Sequence, residues 1–157
     1  MGAKYLHEEE EKVAGSLPSA TSHFTVKIHD FRLAKNEILR GYQSFSSIIT
    51  QGAYVSSLYL RCYFQIIEQI PPHSCQVGFA VRRVRNAVQR NRWKRYLREA
   101  FRQNKSLLLK EIQDRSKSIQ MVVIVDLKKT TGAEKYSDIS ENMRDVVDLM
   151  IKKPYYE

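Results

Sequence analysis

Arginine and lysine side chains are concentrated in one short stretch of this 157-residue chain. Between Arg82 and Lys105 the sequence holds ten basic residues and a single acid, Glu99, whereas the rest of the chain carries equal numbers of basic and acidic residues. The whole net charge of +9 therefore comes from this stretch. A clustered positive field raises the local concentration of polyanions, so the pattern predicts a polyanionic partner and says little about the fold.

The basic stretch has the pattern of an amphipathic helix. Asn86 is a good capping residue, and the helix is predicted to run from Ala87 to at least Phe101, with a possible extension to Ile112. At 100° per residue, apolar side chains gather on one side and guanidinium groups on the other. The apolar side comprises Trp93, Tyr96, Leu97, Ala100 and Phe101, and the basic side comprises Asn91, Arg92, Arg95, Arg98 and Arg102.

Arginine outnumbers lysine eight to two in the basic stretch, which favours RNA as the partner. A guanidinium group binds phosphate through a planar fork and stacks on exposed bases. An ordinary solvated face is the simplest alternative, but arginines one turn apart repel each other and a single acid is present to relieve this. A membrane-surface helix fits less well because the apolar side is needed for a core. Major-groove DNA binding lacks a helix-turn-helix partner.

The elements that must position this helix are predicted from hydrophobic spacing. A short helix is expected over Gln43–Gln51, where the glycine at position 52 is in the C-terminal stop position. Its apolar residues are Phe45, Ile48 and Ile49. Aromatic and β-branched residues predict one extended strand over Tyr54–Ile67, and a second strand from Gln76 to about Arg83.

The second half of the chain predicts one more strand and a final helix. Met121–Leu127 is a short apolar run with β-branched residues, as in a buried strand. The final helix is expected to be capped by Ser137 or Asp138. Its apolar residues are Ile139, Met143, Val146, Val147, Met150 and Ile151. The order helix, two or three strands, helix, strand, helix predicts an α+β fold with helices packed on a small sheet.

The N-terminal part differs in composition from the rest. Residues 1–30 combine the acidic run Glu8–Glu11 with glycine, serine and proline, and we expect a flexible extension before one domain over residues 31–157. Within it, the alternation from Phe24 to Ile28 predicts a short strand. No apolar run approaches the ~18 residues that span a bilayer, and the two cysteines lack paired spacing. These features predict a cytoplasmic location.

Several motifs recur together in one known family. They are the stretch Val77–Val81, the triplet Arg90-Asn91-Arg92 followed by Lys94-Arg95, and Arg98–Phe101. With them the chain resembles the bacterial ribonuclease P protein subunit. Leu39-Arg40, Phe45, Ile48, Ile49 and Gly52 match the first helix of that family, and Tyr63 matches a strand tyrosine. The resemblance covers about Phe31 to Ile151.

The resemblance implies a ribonucleoprotein enzyme that removes the 5′ leader from precursor tRNA, with the catalysis in the RNA subunit and no catalytic residue in the protein. It implies a four-stranded mixed sheet with three helices in the order αβββαβα and a left-handed βαβ crossover, against the usual right-handed rule. Residues that would bind the RNA subunit are Arg82, Arg83, Arg90, Asn91, Arg92, Lys94, Arg95, Arg98 and Arg102. Residues that would line the leader-binding groove are Phe45, Ile49 and Tyr63.

The chain also departs from the family pattern. The link from Val81 to Asn86 is one residue shorter than is common, and Arg85 stands where many members have glycine. Ile49 occupies a position where an aromatic residue is frequent, and core packing is an equal alternative for Phe45 and Ile49.

The partners implied by the resemblance are ribonuclease P RNA and precursor tRNA, with no membrane and no obligate protein partner. Mg²⁺ would be held mainly by the RNA subunit. The sequence itself shows no self-contained nuclease site, because its histidines are scattered and one carboxylate, Asp126, cannot make a two-metal site. Asp126 is expected to cap an element or to pair at the surface. A purely structural RNA-binding protein, such as a ribosomal one, is the alternative that composition leaves open.

Overall fold

A four-stranded mixed sheet forms the centre of the molecule, with one helix on one face and two helices on the other. The computed structural model describes residues 33–68, 74–126 and 135–153. In chain order the elements are α1 Tyr42–Gln51, β1 Ala53–Ser56, β2 Leu60–Ile67, β3 Cys75–Arg82, α2 Ala87–Asp114, β4 Ser118–Asp126 and α3 Tyr136–Lys152. The α+β class and the order αβββαβα are confirmed. The predicted extension over residues 1–30 and its strand lie outside the described residues.

The strands follow one another across the sheet in the order β1-β2-β4-β3. β2 is antiparallel to both of its neighbours, whereas β3 and β4 are parallel. A parallel pair needs a long crossover connection, and α2 supplies it. The left-handed sense of this crossover stays a prediction.

The prediction of one strand over Tyr54–Ile67 is wrong, because the segment folds into the antiparallel hairpin of β1 and β2. The chain reverses at Ser57, whose backbone N–H donates a hydrogen bond to the Leu60 carbonyl at 2.9 Å. The residues of the turn are Ser57, Leu58 and Tyr59. They include one serine but no glycine, proline or asparagine, so the break has only a weak signal in the sequence.

The main core lies between the sheet and helices α2 and α3. Alternate residues of β2, namely Leu60, Cys62 and Phe64, are fully buried there. The helices bury Trp93, Leu97, Ala100, Phe101, Ile139, Met143, Val146, Val147 and Met150. Tyr96 and Ile151 are half-buried at its border. The apolar sides predicted for both helices are therefore confirmed.

Helix α1 covers part of the opposite face of the sheet. Ile48 is fully buried there in a small second cluster with Leu39, Val122 and Ile124. The Phe45 ring lies directly over β3, where a Cβ atom added to Gly78 would come within 2.4 Å of the ring. Glycine at position 78 therefore allows α1 to approach the sheet.

Two helix starts show how well capping is predicted from sequence. The Asn86 side chain accepts a hydrogen bond from the Val88 N–H at 2.8 Å, so the predicted cap of α2 is confirmed. The prediction for α3 is wrong, because its capping residue is Lys135. Asp138 instead lies in the first turn and accepts a hydrogen bond from the Lys135 N–H at 2.8 Å. The carboxylate thus satisfies the helix end from the third helical position.

Candidate nucleic-acid interface

The N-terminal half of α2 presents basic side chains with no acidic partner. Arg92, Arg95 and Arg98 are exposed, and Arg90 and Lys94 are half-buried. Among the described residues, none of these five side chains forms an ion pair. We call them the arginine row. Their charges are uncompensated within the described part of the fold, and a polyanion is the ligand that would neutralise them.

Arg92 is held in place by a neighbouring aromatic cluster. Its Nε donates a hydrogen bond to the Tyr96 hydroxyl at 2.9 Å, and its guanidinium carbon lies 5.4 Å from the Tyr96 ring centroid. The Tyr96 ring in turn makes edge-to-face contacts with Trp93 and Tyr136, at centroid distances of 5.9 and 5.8 Å. Because this cluster is anchored in the core, Arg92 is oriented before any ligand arrives.

Further along α2, the basic residues are paired. Arg102 donates hydrogen bonds to both carboxylate oxygens of Glu99, and the Nε–Oε2 distance is 2.9 Å. The hydrogen bond from Arg102 holds the pKa of the Glu99 carboxyl below its usual value. The Lys105 side chain is buried and binds Glu37 with Nζ–O distances of 2.9 and 3.1 Å. Within the described residues, the basic surface without ion pairs therefore ends at Arg98, one turn before Arg102, for which RNA binding stays a prediction.

Arg82 and Arg83 lie at the end of β3, before α2 begins. Arg82 is exposed and stands opposite Asp126 in the parallel register. Arg83 has a φ of +65°, so the left-handed position of this shortened link falls at Arg83 and not at Arg85. Whether Arg82 and Arg83 bind the RNA subunit stays a prediction.

Asp126 forms ion pairs, as one of its two expected roles predicts, but the expected surface location is wrong because its carboxylate is buried. Its side chain is 5% exposed, and its carboxylate oxygens lie 3.7 Å from Nη2 of Arg61 and 3.9 Å from Nη1 of Arg83. The three residues come from β2, β4 and the end of β3, which only the sheet register brings together. No local pattern in the sequence predicts that Arg61 belongs to this cluster.

The three predicted groove residues lie on the α1 face of the sheet. Phe45 and Ile49 are one turn apart on the same flank of α1, and Ile49 is 39% exposed. Phe45 and Tyr63 both pack against the small cluster around Ile48. An open surface cavity runs along this flank from Gly41 to Thr50. The structure therefore brings the three residues to one region, half-buried or exposed as a binding groove requires.

Two aromatic residues of this region were missed in the sequence. Tyr54 stands opposite Tyr63 in the β1–β2 hairpin, with ring centroids 5.1 Å apart, and it is 41% exposed. Tyr42 is almost fully exposed and lies three residues before Phe45 on α1. The register would have identified Tyr54 if the hairpin had been predicted. Helical spacing alone could have identified Tyr42.

Two negative findings apply to the described ranges. No three His, Cys, Asp or Glu side chains within them come close enough together to hold a metal ion. None of the helices in these ranges has the length and apolar character needed to cross a bilayer.

Comparison with protein families gives one match over most of the chain. A family model described as ribonuclease P matches residues 33–150. The ribonuclease P protein component of Syntrophus aciditrophicus is 31% identical over 123 residues, which are 78% of this chain and 91% of that protein. The component of Chlorobium phaeobacteroides is 37% identical over 86 residues, and the chain spans only 59% of its length.

Solved structures show the same fold. The RNase P protein of Staphylococcus aureus superposes with a TM-score of 0.58 at 21% identity, covering 74% of this chain and 96% of that chain. The RNase P protein of Thermotoga maritima gives a TM-score of 0.53 at 22% identity, with 72% and 96% covered. At these identities the likeness establishes the arrangement of helices and strands.

Proposed function

Since the chain belongs to the ribonuclease P protein family, we propose that it is the protein subunit of a ribonuclease P and promotes maturation of the tRNA 5′ end. In this proposal it binds two RNA segments, the catalytic RNA of the enzyme and the 5′ leader of precursor tRNA. The RNA subunit carries the catalysis, and the protein contributes no catalytic residue.

The arginine row is the proposed surface for the RNA subunit. The observation that carries the proposal is that these side chains have no acidic partner among the described residues, whereas Arg102 and Lys105 further along α2 are paired. Each guanidinium fork can bind a phosphate through two N–H groups. Asn91 lies exposed within the row and can add a hydrogen bond to the same RNA strand.

The groove beside α1 is the proposed site for the single-stranded leader. Tyr54 and Tyr63 form an aromatic pair there, and Phe45 and Ile49 form the wall on the helix. A base stacked on an aromatic ring gains ~1–3 kcal/mol, and every base has a ring face to offer. The groove would therefore hold leaders of different sequence. Ile49 is partly exposed but has no aromatic ring, so base stacking should be weaker at its position.

Mg²⁺ would be held mainly by phosphate groups of the RNA subunit. Among the described residues, no three carboxylate, histidine or cysteine side chains lie close enough together to bind the ion. The role of the protein would be to lower the repulsion between two polyanions, which reduces the concentration of Mg²⁺ needed for their association. We place this activity in the cytoplasm, where precursor tRNA of a bacterium is made.

A reconstitution experiment tests the proposal. The protein is mixed with bacterial ribonuclease P RNA and a precursor tRNA that carries a 5′ leader, at a Mg²⁺ concentration too low for the RNA alone. We expect cleavage at the mature 5′ end to increase when the protein is added. Binding of the RNA without any gain in cleavage would instead support a structural RNA-binding protein, such as a ribosomal one.

A further inference from the structure

Arg61 is a basic residue on the α1 face of the sheet that the family resemblance does not assign. It lies two residues before Tyr63 on β2 and faces the same side of the sheet, because side chains alternate along a strand. Its neighbours across the register are Ser56 of β1 and Ile124 of β4. Arg61 is therefore adjacent to the aromatic pair of Tyr54 and Tyr63.

The Nε–H group of Arg61 is buried and lacks an acceptor in the part of the chain that the structure describes. The contact with Asp126 at 3.7 Å is an ion pair too long for a hydrogen bond. A buried N–H group without an acceptor destabilises a fold, and native proteins satisfy nearly all of them. The Arg61 side chain as a whole is 30% exposed, so an anion from solvent can reach its guanidinium group.

Arg83 brings a second set of donors to the same place. Its side chain is 46% exposed and its Nη1 lies 3.9 Å from Asp126, again beyond hydrogen-bond distance. Asp126 lies between the two guanidinium groups and offsets their mutual repulsion. These three residues together carry a net charge of +1, and the side chains of Arg61 and Arg83 are 30% and 46% exposed to a ligand.

We propose that Arg61 and Arg83, held by the buried Asp126, form a phosphate-binding site at the end of the groove floor. The ligand is one backbone phosphate of the single-stranded leader, next to a base that stacks on Tyr54 and Tyr63. Residues two apart on a strand are separated by ~6.6 Å, so one nucleotide can reach both the aromatic pair and Arg61. This inference rests on the proposed function of the groove, adds an anchor for the leader backbone, and assigns Arg83 to the leader instead of to the RNA subunit.

The test is the affinity of the reconstituted holoenzyme for precursor tRNAs with a series of leader lengths, and for mature tRNA. We expect Arg61→Ala to weaken binding about tenfold once the leader is long enough to reach the site, since hydrogen bonds to charged groups are the strong ones. The salt dependence should fall by about 0.7 per lost phosphate contact on a single strand. Binding of mature tRNA should not change.

Matched variants separate the site from general effects. Arg144→Ala removes an exposed positive charge from α3, far from the groove in the fold. It should bind like the wild type. Arg83→Ala, at a more exposed position, should reproduce a smaller part of the Arg61→Ala loss and guards against a folding defect.

Two results would overturn the inference while leaving the proposed function intact. In one, Arg61→Ala binds like Arg144→Ala at every leader length. In the other, Arg61→Ala weakens mature tRNA and precursor tRNA equally, which would move the contact away from the leader.

A different result would contradict the proposal that the groove binds the leader. If the wild-type holoenzyme does not prefer precursor to mature tRNA, the leader has been misassigned. The phosphate site is then judged by titrating the full-length protein with a short oligouridylate. Weaker binding by Arg61→Ala than by Arg144→Ala supports the site, and equal binding by the two variants overturns it.

Discussion

The two faces of the sheet are built from the same strands but are used differently. On the face covered by α2 and α3, residues Leu60, Cys62 and Phe64 of β2 are fully buried. On the other face, the alternating residues Arg61, Tyr63 and Gln65 stay partly exposed. The two faces differ because the helices that pack on them differ in length, since α2 has 28 residues and α1 has only 10. One face stabilises the fold, and the other keeps room for a ligand.

The largest expected effect is a loss of stability on the covered face, which tests whether the two faces differ in role. Phe101→Ala on the covered face should lower the free energy of unfolding by about 3–5 kcal/mol, because it leaves a cavity in the main core. Tyr54→Ala on the open face should cost about 1 kcal/mol or less, since the residue is already 41% exposed. Urea denaturation measures both values. Equal losses would show that the two faces are not divided between stability and binding.

The contrast between the faces also explains what the sequence could predict. The two sides of α2 were predicted because periodicity within one helix fixes which residues are neighbours. The cap at Asn86 was predicted for the same reason, since it depends on residues two positions apart. Helix faces and caps of this kind depend only on residues that are close together in the sequence.

Contacts between distant segments could not be predicted in this way. Lys105 belongs to the basic stretch, yet it pairs with Glu37, 68 residues away. Asp126 meets Arg61 and Arg83 only because β2, β4 and β3 align in one register. The turn of the hairpin has no glycine, proline or asparagine, so the pairing of Tyr54 with Tyr63 is not predicted from the sequence either. Predicting these contacts requires the sheet order, which periodicity does not contain.

A smaller effect is expected where α1 meets the sheet. In Gly78→Ala the new methyl group would lie 2.4 Å from the Phe45 ring, so the ring or the helix must move. We expect a loss of about 1–3 kcal/mol in unfolding free energy, the usual cost of overpacking.

A double-mutant cycle checks this origin. In the Phe45→Ala background the obstruction is gone, and Gly78→Ala should cost only a few tenths of a kcal/mol. An equal cost in both backgrounds would mean that Gly78 is needed for some other reason. The cycle therefore measures how closely α1 packs on the open face of the sheet, for comparison with the covered face.

The central claim is that two separate surfaces bind two RNA segments. It is tested most directly by measuring, for each of two variants, the affinity for ribonuclease P RNA and the preference of the holoenzyme for precursor over mature tRNA. The variants are Arg95→Ala/Arg98→Ala on the arginine row and Tyr54→Ala/Tyr63→Ala in the groove. Urea denaturation of both confirms that each is folded.

We predict that the arginine variant binds the RNA subunit more weakly, with a salt dependence reduced by about one unit per lost phosphate contact. It should keep the preference for precursor tRNA. The tyrosine variant should bind the RNA subunit normally and lose that preference. If both variants lose both properties to the same extent, or if neither loses any, the division of the molecule into two RNA-binding surfaces is wrong.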